Sequence, residues 1–171
     1  MGAPFYIMKN KHLEAFMKTA ETFAECSTAV RLHVGAIVVK EDRIISIGYN
    51  GMPSGWDNVC EEVVDVPLSD PRYDYYHFNK ELKTKPEVLH AETNAIAKLA
   101  KSPNSGLGAD LFVTCSPCIH CAKLIFQSGI ARVYFNEHYR DDDGIRFLKN
   151  SNIDVIQLDT PNSVDTSNTK N

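Results

Sequence analysis

Apolar residues recur every three or four positions near the start of the chain. The positions that share this spacing are Met8, Leu13, Phe16, Met17, Ala20, Phe23 and Ala24. Such a period places them on one face of an amphipathic α-helix over residues 8–26. Residues 33–39 and 43–49 form two short runs on either side of the turn-forming pair Glu41-Asp42. They predict a β-hairpin directly after the helix.

The second half of the chain alternates between helical and strand patterns. Strong helix formers fill residues 90–101, and Ser-Pro-Asn-Ser-Gly at 102–106 ends that helix. The elements predicted after it are a strand at 111–114, a helix at 117–128, a strand at 131–135, a helix at 142–149 and a strand at 153–158. A leading helix and hairpin followed by this alternation predict a three-layer α/β/α fold with a mixed five-stranded sheet.

Two segments fall outside this alternation. Residues 50–89 contain four prolines and an aromatic cluster, and they predict an irregular segment. Because so long a connection is uncommon, we expect an insert at about 51–89 that serves function or an interface. In residues 160–171, eight of twelve positions are Ser, Thr or Asn. This composition predicts a disordered tail after a single domain at 1–159.

The charge balance narrows the class of protein. The 171 residues include 18 Lys or Arg and 22 Asp or Glu, which gives a formal net charge of −4. A large nucleic-acid footprint is disfavoured, since it needs a basic surface. No apolar run approaches the roughly 20 residues of a membrane helix, and the N-terminus shows no secretory signal. We therefore expect a cytoplasmic protein with a small-molecule ligand and no nucleic-acid or membrane partner.

Cysteines cluster in the second half of the chain. The five are Cys26, Cys60, Cys115, Cys118 and Cys121. The last three fall within seven residues, and the total is odd. In a cytoplasmic chain this clustering favours a metal site or a reactive thiol over a disulfide.

Two segments together contain the ligands for a metal ion. His-Ala-Glu at 90–92 begins one predicted helix, and Pro-Cys-Ile-His-Cys at 117–121 begins another. Cys118 and Cys121, three apart, share a helix face, and His90 adds a third ligand from the other helix. Three protein ligands leave the fourth tetrahedral position open to water, as in catalytic zinc sites. A closed structural site with Cys115 or His120 as fourth ligand is the alternative.

Glu92 indicates what such a zinc would do. It lies two positions after His90, so it points away from the ligand direction but can reach a water beside the metal. H-x-E followed by P-C-x-x-C is the signature of zinc deaminases. Zinc lowers the pKa of a bound water to roughly 7. A carboxylate can then carry a proton to the ring nitrogen and to the leaving ammonia.

At these segments the sequence resembles the cytidine deaminase superfamily and, within it, the deoxycytidylate (dCMP) deaminases. The matching segments are residues 34–39, 47–55, 90–96, 116–123 and 127–130. The Gly-Tyr-Asn-Gly element at 48–51 and the long insert after it select the dCMP deaminases. The resemblance implies a cytidine deaminase-like fold, deamination of dCMP to dUMP and ammonia, and a homo-oligomer, commonly a hexamer.

The resemblance also implies roles at the site. Zinc would be bound by His90, Cys118 and Cys121, with Glu92 as the proton shuttle. The residues implied in base and sugar binding are Asn50 at the sugar hydroxyl, Gly35 and Ala36 along the base pocket, and the backbone of Ala91 and Ser116 at the cytosine edge. The alternatives are a turn role for Asn50 beside Gly51 and ordinary strand packing for Gly35 and Ala36.

A monophosphate substrate also needs a cation. Lys101, at the end of the His90 helix, stands where some relatives carry an arginine linked to phosphate. Arg31 and Arg140 are the other candidates. A solvated surface charge is the alternative for each of the three, and it is the commoner role of such residues. Tyr139 is a candidate to cover the ribose, with core or rim packing as the alternative.

The resemblance further implies regulation. dCMP deaminases are commonly activated by dCTP and inhibited by dTTP, with Mg²⁺ accompanying the triphosphate. The implied effector loop is Tyr49, Asn50 and Gly51. The acidic run 141–143 could suggest a magnesium site, although capping of the helix that follows is the commoner role.

Some relatives carry a second, structural zinc. Here Cys26, Cys60 and His77 remain, but the cysteine often found before the 34–39 strand is replaced within residues 28–31. Burial of Cys26 as an ordinary apolar residue is the alternative.

Two other functions stay open at this point. One is deamination of another substrate, either cytidine, deoxycytidine or tRNA adenosine. The tRNA deaminases usually have a more basic surface and Gly-Trp-Asn where this chain has Gly-Tyr-Asn at 48–50. The other is a non-catalytic zinc module that binds nucleotides, for which Glu92 would have no use.

Overall fold

A computed structural model describes residues 8–67 and 78–158. The elements in chain order are α1 (Asn10–Ala24), β1 (Gly35–Lys40), β2 (Arg43–Tyr49), β3 (Glu61–Pro67), β4 (Phe78–Thr84), α2 (Ala91–Ala100), β5 (Asp110–Cys115), α3 (Ile119–Gln127), β6 (Arg132–Glu137), α4 (Asp143–Asn150) and β7 (Asp154–Gln157). His77, most of the aromatic cluster and the predicted tail lie outside the described residues.

Five strands form one mixed sheet in the order β2-β1-β5-β6-β7. β1 is antiparallel to both β2 and β5. β5, β6 and β7 are parallel, and α3 and α4 make the connections between them. The prediction of a mixed five-stranded sheet is therefore confirmed.

Helices cover both faces of this sheet. On one face α1 packs over a cluster that includes Ile37, Val39 and Phe112. On the other, α2, α3 and α4 pack over a larger cluster that includes Ala36 and Val38. Neighbouring residues of β1 thus serve opposite faces, as the strand period of two requires. Burial on both faces explains why β1 and β5 are almost continuously apolar in sequence.

The insert departs from the irregular segment that we expected. Residues 61–67 and 78–84 pair as an antiparallel hairpin, from Glu61 opposite Thr84 to Pro67 opposite Phe78. The β3–β4 hairpin packs against little of the hydrophobic core. The paired side chains of Val63 and Leu82 therefore remain 62% and 44% exposed. Its apolar alternation is therefore weak and is interrupted by charged residues, which is why the sequence did not predict strands there.

Gly48 allows α2 to pack directly on β2. A Cβ at this position would lie 2.1 Å from the carbonyl oxygen of Ala91 and 2.6 Å from the nitrogen of Ala95. Both neighbours are helix backbone, so only a displacement of the helix could make room.

Among the described residues, none of the helices has the length and apolar character of a membrane span.

We expect Gly48→Ala to destabilise the protein by about 1–3 kcal/mol, because an added methyl group forces two backbones apart. Gly51→Ala is the matched control, since a Cβ there would have nothing within 4 Å. Its cost should stay within about 0.5 kcal/mol. Urea unfolding of both variants checks this, and equal stabilities would show that α2 does not depend on the contact.

Candidate active site

The first residues of α2 and α3 meet at one end of the sheet. His90 immediately precedes α2 and Cys118 immediately precedes α3, and both have extended backbone conformations. Neither side chain forms a capping hydrogen bond to its own helix. His90 Nδ1 lies 3.8 Å from Cys118 Sγ and 3.4 Å from Cys121 Sγ. The three ligand atoms all lie within 4.8 Å of one another.

This triad matches a tetrahedral zinc site. Zinc bonds to sulfur and nitrogen at ordinary lengths place two such ligands about 3.6 Å apart. The observed separations of 3.8 and 3.4 Å lie on either side of that value. Among the described residues, this is the one group of three or more His, Cys, Asp or Glu side chains close enough to hold a metal. Neither Cys115 nor His120 joins it, so the closed four-ligand alternative gains no support.

Hydrogen bonds link the two thiols and the imidazole. A hydrogen bond from Cys121, together with His90, lowers the pKa of the Cys118 thiol to about 3. The hydrogen bond to Cys118 raises the pKa of His90, and the same thiol pair together with burial raises the pKa of Cys121. A cation bound between these atoms would replace the protons of these hydrogen bonds, and the positive ends of α2 and α3 would favour its thiolate ligands.

Glu92 lies in the first turn of α2 and is only 4% exposed. Burial raises the pKa of its carboxyl above the ordinary glutamate value, while its own backbone hydrogen bond and His90 oppose the shift. Its side chain also contacts Cys121. A carboxyl group buried beside a metal triad has the position that a general acid–base requires.

A cavity of about 370 Å³ opens above the triad, a volume suited to a small molecule. Its floor includes His90, Glu92 and Cys118. The other predicted site residues that line it are Asn50, Ala91, Ser116, Arg31, Tyr139 and Arg140.

Three residues expected at the substrate do not line this cavity. Gly35 faces α1, because a Cβ there would sit 2.0 Å from the carbonyl oxygen of Ala20. Ala36 is fully buried in the core under α2. Lys101 caps the C-terminal end of α2, a helix of ten residues, and so lies about 15 Å from the His90 end. None of the three lines the cavity.

The expected effector residues have mixed positions. Asn50 lines the cavity, but Tyr49 and Gly51 do not. The ring of Tyr49 lies 5.7 Å from Lys98 Nζ, and its carbonyl oxygen accepts a hydrogen bond from the Asn94 side chain. Gly51 pairs with Leu89 through two backbone hydrogen bonds.

Asn50 and Ser116 hold the cavity wall together. The Asn50 side chain accepts a hydrogen bond from the backbone N–H of Val34 at 2.8 Å and donates one to the carbonyl of Leu32 at 2.9 Å. Ser116 Oγ accepts a hydrogen bond of 2.7 Å from the N–H of Tyr139. The hydrogen bonds of the Asn50 side chain to residues 32 and 34 therefore support the alternative, in which Asn50 has a structural role.

Among the described residues, the remaining candidate metal ligands form no cluster. Cys26 is exposed, whereas Cys60 is buried beside Ala29 and Val88, with its sulfur 3.5 Å from Thr28 Oγ1. In the acidic run, Asp141 Oδ1 accepts a hydrogen bond from the Asp143 N–H at the start of α4. That bond agrees with capping rather than with a magnesium site.

Sequence reasoning missed four residues that shape the site. Glu61 and Thr84 of the insert and His138 after β6 line the cavity. Gly144 of α4 lies directly against the backbone of Pro117 and Cys118, just before α3, because a Cβ there would sit 1.9 Å from the Pro117 carbonyl oxygen. In the sequence, Glu61 was visible only as one of two adjacent acidic residues in the segment predicted to be irregular. Gly144 was visible only as a glycine within a short predicted helix.

Comparisons with known proteins agree with this geometry. The family model of the cytidine and deoxycytidylate deaminase zinc-binding region matches residues 10–137. Deoxycytidylate deaminase of Enterobacteria phage T4 is 34% identical over 158 residues, covering 75% of this chain and 80% of the phage protein. The human deoxycytidylate deaminase is 36% identical over 139 residues, covering 76% and 67% of the two chains.

A solved structure extends the comparison to the fold. The dCMP deaminase of cyanophage S-TIM5, in complex with dCMP and dUMP, superposes with a TM-score of 0.75 at 43% sequence identity. The match covers 89% of this chain and all of the cyanophage chain. The expected three-layer fold is thereby confirmed. By its sequence, fold and metal-binding segments, the chain belongs to the cytidine and deoxycytidylate deaminase family.

Proposed function

We propose that the protein is a zinc-dependent enzyme that hydrolyses dCMP to dUMP and ammonia. The observation that carries the proposal is the His90–Cys118–Cys121 triad with buried Glu92 beside it on the floor of a nucleotide-sized cavity. The 43% identity to a cyanophage enzyme whose structure contains dCMP and dUMP supports this choice of substrate.

The residues that line the cavity have different proposed roles. A zinc ion held by the triad would supply a hydroxide nucleophile near neutral pH. Glu92 would carry one proton from the attacking water to the ring nitrogen. It would carry a second, from the hydroxyl group that the attack leaves on the ring carbon, to the departing amino group. Ala91 and Ser116 line the cavity, and their backbone groups are the proposed hydrogen-bond partners of the cytosine edge. Asn50 and Tyr139 line the same cavity, which supports the expectation that they contact the sugar.

For the phosphate, the structure favours the arginines over Lys101. Arg31 and Arg140 line the cavity, whereas Lys101 lies at the far end of α2. The Arg140 guanidinium lies 5.1 Å from the Tyr139 ring centroid and 3.9 Å from an Asp141 oxygen. The Arg31 guanidinium donates a hydrogen bond of 3.2 Å to the neutral hydroxyl of Thr84, and among the described residues it has no carboxylate partner. We therefore assign the phosphate to Arg31 in the first place.

Regulation and assembly complete the proposal. By family, we expect activation by dCTP with Mg²⁺, inhibition by dTTP, and a homohexamer that works in the cytoplasm. The dUMP formed would feed dTMP synthesis, so feedback by dTTP would match supply to demand. The loop of Tyr49, Asn50 and Gly51 is the proposed effector site.

Glu92→Gln should keep one zinc per chain and lose activity on dCMP by about 10²–10⁴-fold, the range for loss of a general acid–base. Cys118→Ser should lose zinc as well as activity, since it removes a thiolate ligand. Metal analysis and an ammonia-release assay check both variants. Glu87→Gln, an exposed glutamate before α2, is the control and should match the wild type. Activity retained in Glu92→Gln would contradict the proposed proton shuttle.

Ammonia release from dCMP, CMP, deoxycytidine and a short adenosine hairpin RNA tests the substrate. We expect dCMP to be preferred over deoxycytidine by at least about tenfold in kcat/KM, since one hydrogen bond to a charged group contributes at least this much. dCTP with Mg²⁺ should raise the rate and dTTP should lower it. Equal rates on dCMP and deoxycytidine would refute phosphate recognition, and no turnover of any substrate would favour a binding module.

A further inference from the structure

The insert reaches the cavity through one buried carboxylate. Glu61, the first residue of β3, is 7% exposed and lines the cavity. Its Oε1 accepts hydrogen bonds from the backbone N–H groups of Val30 at 2.9 Å and Arg31 at 3.1 Å. A buried carboxylate is stable only when such donors satisfy it. This bond pair ties the hairpin to the loop that precedes β1.

That loop depends on side chains for its shape. Residues 29–34 belong to no helix or strand. Asn50 holds the C-terminal end of the loop through Leu32 and Val34, and Glu61 holds the middle. A loop without regular backbone pairing takes its position from the groups that satisfy its N–H and C=O groups. Removing Glu61 would therefore release residues 30 and 31 while leaving the end at Asn50 in place.

The same hairpin also holds the Arg31 side chain. Arg31 donates a hydrogen bond from Nη1 to Thr84 Oγ1 at 3.2 Å. Thr84 is the residue directly opposite Glu61 in the β3–β4 register. One cross-strand pair thus fixes both ends of Arg31, the backbone through Glu61 and the guanidinium through Thr84.

This arrangement leaves the guanidinium charge available to a ligand. The carboxylate of Glu61 meets backbone N–H groups rather than the guanidinium, and Thr84 is neutral. Within residues 8–67 and 78–158, no ion pair involves Arg31. A guanidinium that faces a cavity without a carboxylate partner is suited to a phosphate dianion.

We propose that Glu61 and Thr84 are positioning residues that hold Arg31 at the cavity and thereby set the preference for a nucleoside monophosphate over a nucleoside. The proposal rests on the proposed deamination of dCMP. It gives the insert a direct task in substrate selection, although neither Glu61 nor Thr84 need touch the reacting atoms.

The test compares kcat/KM for dCMP with that for deoxycytidine in zinc-loaded protein. Arg31→Ala should lower this ratio by about 10- to 100-fold, the range for one hydrogen bond to a charged group. Glu61→Ala should reproduce most of that loss, mainly through a higher KM for dCMP. Glu61→Gln keeps an acceptor oxygen for the two N–H groups and should stay within about threefold of the wild type. Glu62→Ala, the exposed neighbour on β3, is the matched control and should not change the ratio.

The double variant Arg31→Ala/Glu61→Ala separates positioning from a general effect on the fold. If Glu61 acts through Arg31, the double variant should have the ratio of Arg31→Ala alone, because coupled residues are not additive. Equal losses on both substrates in Glu61→Ala, failure of Glu61→Gln to restore the ratio, or additive losses would each overturn the proposal. Should Glu61→Ala fail to fold, Thr84→Val decides, with a fall in the ratio expected and an unchanged ratio contrary to it.

The wild type distinguishes the two levels of inference. A wild type that deaminates no cytosine nucleotide, or that does not prefer dCMP, would overturn the proposed function and this inference with it. A wild type that prefers dCMP while the Glu61 and Thr84 variants keep the full preference would overturn only the positioning role.

Discussion

The site depends on two helix N-termini held within ligand distance of each other. His90 and Cys118 come from elements 28 residues apart, yet their ligand atoms are separated by 3.8 Å. Two glycines permit this approach, Gly48 beneath α2 and Gly144 against the loop before α3. A Cβ at either would lie about 2 Å from a backbone oxygen, where no atom can sit. The geometry of the metal site therefore depends on how these backbone segments pack. A methyl group added at Gly48 or Gly144 would displace backbone next to a ligand of the triad.

The sequence was most informative about features that short local patterns determine. The metal triad, the position of Glu92 beside it and the order along the chain of the strands and helices of the main sheet were predicted from short motifs and hydrophobic periods. Cysteines three apart on a helix must share a face whatever the rest of the fold does. Likewise, the apolar runs of β1 and β5 require burial on both sides, which only a layered fold supplies.

Other features are set by long-range geometry that no local pattern contains. Lys101 and Arg31 were equal candidates in sequence, and only the length of α2 separates Lys101 from the cavity. Gly35 matched a pocket-lining motif, yet its missing side chain makes room for α1. The β3–β4 hairpin has too little core to show a clear apolar period. Glu61 belongs to that hairpin, so its role became visible only once Val30 and Arg31 were seen to donate to it.

The cavity changes character from floor to mouth in a way that suits a nucleotide. Glu92 at the floor and Cys121 of the triad are almost fully buried, so electrostatic interactions there are weakly screened by water. At the other extreme, the Arg140 side chain is 77% exposed. A flat base loses little by leaving water, whereas a phosphate dianion would lose much. The family motifs supply the buried end, where the chemistry would take place. In the proposed arrangement, Glu61 and Thr84 of the insert would hold Arg31 at the exposed end, where a phosphate can remain partly hydrated. Selectivity among cytosine compounds can therefore change through the insert while the metal triad and Glu92 stay as they are.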